Sequence, residues 1–140
     1  MKRISILSLA FLLLSGSLMA KETKWPELRS KKDAKAKTTS KATKNPFDGK
    51  KISIKGFLLS LDFEVKKISE FLLLPYVPSC MHVPPPPADQ VIFVKMKNTT
   101  KIEPTYYPVL VEGTLKSASA SFEMLESGWE MTGESVKEVK

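Results

Sequence analysis

The sequence predicts a mainly β protein: a small five-stranded barrel of the oligonucleotide/oligosaccharide-binding (OB) type, preceded by a signal peptide and a disordered lysine-rich linker. Three observations carry this. Short apolar runs with a period of two recur between residues 51 and 131, the spacing at which side chains share one face of a strand. Two of these runs, KISIKGFLLSL and VLVEGTLK, contain a glycine, where a strand bulges or coils sharply, as the first strand of such a barrel must in order to serve both halves of its sheet. No long stretch has helical periodicity, one turn near Val65 to Glu70 excepted. A flat sandwich is the alternative architecture.

Taken in order, Lys2 and Arg3 precede an apolar run from Ile4 to Leu14 and small residues up to Ala20. This is the pattern of a secretory signal peptide over residues 1–20. The run is too short for a bilayer span, which needs about 20 residues, and no cysteine stands near the cut to accept a lipid. The expected mature chain is periplasmic or secreted, with no transmembrane anchor after cleavage. Residues 21–50 are crowded with Lys, Ala, Ser and Thr (KKDAKAKTTSKATK), too few apolar groups to offset ordering entropy, so a flexible basic linker is expected. Trp25, with Pro26 and Leu28, is the exception and is expected to dock on the folded part.

The formal net charge is +7, and residues 21–50 hold ten basic against four acidic side chains. The folded part is therefore close to neutral, which argues against nucleic acid as a partner. Within 51–131 the first strand alternates Ile52 and Ile54 against Ser53 and Lys55, and beyond Gly56 the apolar phase moves to Phe57, Leu59 and Leu61. FLLLPY (71–76) and VIFVKM (91–96) read as short buried strands. VLVEGTLK places Val109, Val111, Gly113 and Leu115 on one face. SFEMLESGWEM gives a fifth extended segment around Phe122, Met124 and Trp129, and residues 132–140 are expected as a C-terminal tail.

The most unusual stretch, SCMHVPPPPADQ (79–90), is the connection between the second and third strands. Pro84, Pro85, Pro86 and Pro87 lack backbone donors and favour a polyproline II rod of about 3.1 Å per residue, with Asp89 and Gln90 able to pin its end. In an extended segment the only cysteine, Cys80, and the only histidine, His82, share a face about 6–7 Å apart. A thiolate and an imidazole so placed can meet one metal ion. Further ligands would come from Asp89, Glu64 or Glu103, or from the same pair in a second chain of a homodimer. Met81 or Met96 as a thioether ligand would favour monovalent copper over zinc. The alternative is that the pair packs as a small buried hydrophobe and a satisfied imidazole. An i+2 neighbour standing parallel to the thiol makes a poor general base, which argues against a thiol enzyme.

ISIKGFLLSLD, EFLLLPYVPSCMHVPPPPADQ, VEGTL and SFEM, in this order after Trp25 and Leu28, resemble a bacterial secreted family known as domain-of-unknown-function family 3299. By that resemblance Tyr76, Cys80, His82, Pro84 to Pro87 and Gln90 occupy signature positions, and Asp89 stands where the family usually has asparagine. The resemblance implies no biochemical activity. It implies periplasmic or lipid-anchored relatives, often encoded beside ATP-binding cassette (ABC) transporter components, with links to zinc homeostasis. Two functions are expected. The first is a metal-binding accessory to envelope transport or metal homeostasis, with Cys80, His82 and Asp89 as ligands of zinc, less favourably copper. The second is a metal-free module that docks a transporter or envelope partner through Tyr76, Pro84 to Pro87 and Gln90.

Overall fold

A computed structural model describes residues 20–29, 45–62, 64, 66–77, 83–97, 101–123 and 125–139. The chain runs β1 (Lys21–Glu22), α1 (Trp25–Leu28), β2 (Lys51–Ser60), β3 (Glu70–Leu74), a 3-10 turn (Ala88–Gln90), β4 (Ile92–Met96), β5 (Val109–Ser121) and β6 (Glu126–Glu138). All six strands form one sheet in the order β1-β2-β3-β4-β6-β5, and β2 also pairs with β5. The pairings are antiparallel except β1 with β2 and β4 with β6. Among the described residues no helix is long and apolar enough to cross a membrane.

β2 changes partner halfway. Lys51 to Gly56 pairs with β5, and Phe57 to Ser60 pairs with β3. Gly56 sits at the exchange without a register break. A β-carbon there would lie 2.7 Å from the Leu74 carbonyl oxygen and 3.0 Å from the Trp25 ring, so close approach, not a bulge, requires the glycine. The bulge falls instead in the β5–β6 pair, between Glu112 and Gly113, and a second lies between Ser117 and Ala120.

Strict alternation fills the interior. Ile52, Ile54, Phe71, Leu73, Ile92, Val94, Val109, Val111, Leu115, Trp129 and Met131 form the main core with Leu28 of α1. Burial on both faces explains why FLLL has no polar residue: Phe71 and Leu73 enter the main core, whereas Leu72 and Leu74 belong to a second cluster with Val91, Phe93 and Leu125.

Several expectations are corrected. The supposed tail from residue 132 is strand: β6 continues to Glu138, and Val136 packs against the main core. The fifth extended segment begins at Glu126, because Phe122 and Leu125 form the preceding turn, closed by a bond from the Phe122 amide to the Leu125 carbonyl (2.8 Å); Met124 lies outside the described residues. In place of a helical turn before Glu70, Ile68 forms a bridge with Ile102, each amide donating to the other's carbonyl (2.9 and 2.8 Å). Both ends of the expected linker are structured. The Thr23 amide donates to Ser53 (2.8 Å), the Gly49 amide to the Leu115 carbonyl (2.7 Å), and the Ser117 amide to the Asp48 carboxylate (2.9 Å). Residues 1–19 and 30–44, where the leader and the rest of the linker are expected, lie outside the described residues.

Candidate functional site in the proline-rich connection

The connection between β3 and β4 is held at both ends. Pro75 follows Leu74 directly and cannot donate to the ladder, so β3 stops there. The exposed Tyr76 reaches across, its hydroxyl donating to the Pro84 carbonyl at 3.1 Å. Val77 and Val83, on either side of this neck, are exposed. Pro86 is buried while Pro84, Pro85 and Pro87 face outward. Pro87 has φ −65° and ψ 157°, within the polyproline II range, and the 3-10 turn follows, with the Gln90 amide donating to the Pro87 carbonyl (2.8 Å).

Gln90 was expected on the docking surface, and its side chain is instead turned inward. It is only 5% exposed, and its carboxamide donates to the carbonyls of Trp25 (2.9 Å) and Asp89 (3.1 Å). A buried amide is costly unless bonded, so these bonds make Gln90 the clasp between the end of the proline run and α1. The Asp89 carbonyl also accepts from the Trp129 indole (3.3 Å), and Asp89 itself is half-buried. Gly128 permits this seating, since a β-carbon there would lie 3.0 Å from the Ala88 carbonyl oxygen. Trp25 docks as expected: its ring packs on the main core and its indole donates to the Lys55 carbonyl at 2.7 Å.

Cys80, Met81 and His82 lie outside the described residues. Glu64 and Glu103 are solvent-exposed. Met96 is not available as a thioether ligand, because it is buried in the main core. Among the described residues no three His, Cys, Asp or Glu side chains come together as a metal site. The resolved electrostatic perturbation lies at Glu134 on β6, whose carboxyl is held below its ordinary pKa of 4.5 by a hydrogen bond from Lys51, with the charges of Lys51 and Lys97 adding to it.

A feature the sequence reading did not identify lies on the outer face of β3 and β4. The tip of the β5–β6 hairpin folds over Leu72 and Phe93, placing Phe122 edge-on to Phe93 with ring centroids 5.0 Å apart. Between this tip and the end of β2 is a cleft of about 440 Å³. The available signal was the FLLL run itself: with one face in the core, its other face needs a cover.

The family model described as "Protein of unknown function (DUF3299)" matches residues 14–138. The crystal structure of a DUF3299 family protein from Pseudomonas aeruginosa PAO1 is similar at 28% sequence identity, with a TM-score of 0.65 over 86% of this chain and 97% of that one. No curated protein matches the chain.

Proposed function

Since the chain belongs to the DUF3299 family, whose description assigns no activity, we propose from the geometry that it is an exported envelope accessory protein that docks a partner through the connection from Tyr76 to Pro87. One observation carries the reading. Tyr76, Val77, Val83, Pro84, Pro85 and Pro87 are exposed on a support anchored by Tyr76 to Pro84, by Gln90 to Trp25 and by Trp129 to Asp89. An extended apolar segment already fixed in place loses little conformational freedom on binding, which is how proline-rich segments engage aromatic-lined grooves. The partner class is an envelope component of an ABC-type transporter, on the strength of the family resemblance, and the location is periplasmic, on the strength of the leader pattern. The ring of pairings through β2, β3, β4, β6 and β5, with β4 parallel to β6, supports reading the sheet as an OB-like barrel.

A photo-crosslinking residue at position 85, with Lys116 as the control position, tests the docking reading in cells. A discrete adduct from position 85 that is lost when Pro84 to Pro87 become Ser-Gly is expected. No adduct above the control position refutes it.

A second reading is favoured by the bond that ties Tyr76 to Pro84, eight residues apart in the sequence. Cys80 and His82 fall within that interval of the sequence, where a thiolate and a neutral imidazole would bind zinc, or less favourably copper, with Asp89 or a second chain completing the shell. Protein purified without chelators or affinity histidines should then carry at least half an equivalent of metal per chain, lost in Cys80→Ser and His82→Ala. Metal-free protein that takes up no added zinc with its thiol reduced removes this reading.

A further inference from the structure

We propose that the cleft between the β5–β6 tip and the end of β2 is a binding site for a single alkyl chain carrying a cationic head group. Its walls are Leu59, Leu61, Leu72, Phe122 and Leu125, with Glu123 at the rim. These residues are separate from the main core. Leu72 and Leu125 belong to the outer cluster, against which Leu59 and Phe122 pack, and Leu61 is 39% exposed. The tip is held over the sheet by the irregularity between Ser117 and Ala120, by the turn bond from Phe122 to Leu125, and by the edge-on contact of Phe122 with Phe93.

Size decides the kind of occupant. A cavity of roughly 150 Å³ holds a benzene ring, so about 440 Å³ exceeds one partner side chain and lies in the range of small-ligand sites. Walls of leucine and phenylalanine, whose buried lining hydroxyl, Ser60, is already bonded within its own turn, match an alkyl chain, whose methylenes each gain on leaving water. The polar groups at the cleft decide the head. The Ser60 hydroxyl is engaged in its own turn, donating to the Asp62 carbonyl, Ser121 lies at the exposed margin, and among the described residues the one charged lining group is the carboxylate of Glu123. Lys95, a cation near this face, is held at 3.1 Å by Glu130 and lies 5.0 Å from the Phe93 ring centre. A carboxylate at the rim attracts an ammonium head and repels an anionic one. The same features exclude the nucleic acid that OB-like faces often bind, since the face is roofed by apolar side chains and its rim is acidic.

Titration calorimetry of the whole exported chain with decylamine, hexylamine, decanol and decanoate, each below its micelle-forming concentration, tests the site. One-to-one binding is expected, with decylamine at least tenfold tighter than decanoate. Affinity should rise as much as fourfold per added methylene, the upper bound set by complete burial. Leu61→Asn at the partly exposed rim should weaken binding at least tenfold with little effect on folding, and Glu123→Lys should reverse the preference toward decanoate. Absence of saturable binding, equal affinity for all head groups, or binding untouched by Leu61→Asn would overturn the proposal.

Discussion

Replacing Gln90 by leucine keeps its approximate volume and removes its two donors. The Trp25 carbonyl, which accepts from Gln90 at 2.9 Å, then loses that partner in a place where the side chain facing it is only 5% exposed. Orphaning a buried group in this way costs about 1–3 kcal/mol. Detachment of the helix would return that carbonyl to water but expose Leu28, fully buried on it, at about 1.5–3 kcal/mol, so the two costs are alternatives of similar size. A destabilisation of about 1–3 kcal/mol is expected, which moves the urea midpoint down by about 0.5–1.5 M for a slope near 2 kcal/mol/M. Amide exchange should localise the effect, with protection lost first in residues 21–28. A Gln90→Glu variant sharpens the test. Its introduced carboxyl can donate to the Trp25 carbonyl only when protonated, and burial among carbonyls raises its folded-state pKa above the unfolded value. Its contribution is therefore present below the unfolded pKa and lost as pH rises through the folded one, so this variant approaches the parent in acid. A Gln90→Leu protein with an unchanged urea midpoint and residues 21–28 still protected would refute the clasp.

Gly128→Ala should cost about 1–3 kcal/mol, because the new methyl meets the Ala88 backbone at 3.0 Å and no rotamer relieves it; unfolding followed by the emission of Trp25 and Trp129 together reads this. Ser127 is 1% exposed and its hydroxyl finds no hydrogen-bond partner among the described residues, so Ser127→Ala should raise stability by about 1 kcal/mol in urea unfolding. The Lys51 hydrogen bond lowers the Glu134 pKa, so that carboxylate contributes stability above its unfolded value, lost as pH falls through the lower folded one. Glu134→Gln should accordingly flatten the acid limb of urea midpoint against pH, leaving the curve above neutrality parallel to the parent's.

Alternation made most strands legible, since β2, β3, β4 and the first half of β5 bury large side chains at every second position. The end of β6 was not legible in the same way. Its inward row passes from Met131 to Gly133, and the register shift opposite Glu112 and Gly113 sets Glu134 outside the alternation before Val136 turns inward. A small residue followed by a bulge erases a period-two signal. Tyr76 and Gln90 stood out by their place beside the proline run. Their roles depended on partners 8 and 65 residues away, and local pattern does not encode such distances. Leu125 lies inside an expected strand and is instead the buried cap that closes the turn before β6.

The order in which elements meet also bears on how the chain becomes folded. β6 at the C-terminal end pairs with β4 and β5, and β5 closes onto β2. Trp25 and Leu28 at the other end complete the core and receive the Gln90 clasp. Neither terminal segment has a finished surface without residues synthesised much earlier or much later, a topology of high contact order that folds slowly. The interior cannot close until β6 is present to join β4 to β5, so the chain commits to its fold only when nearly all of it has been made.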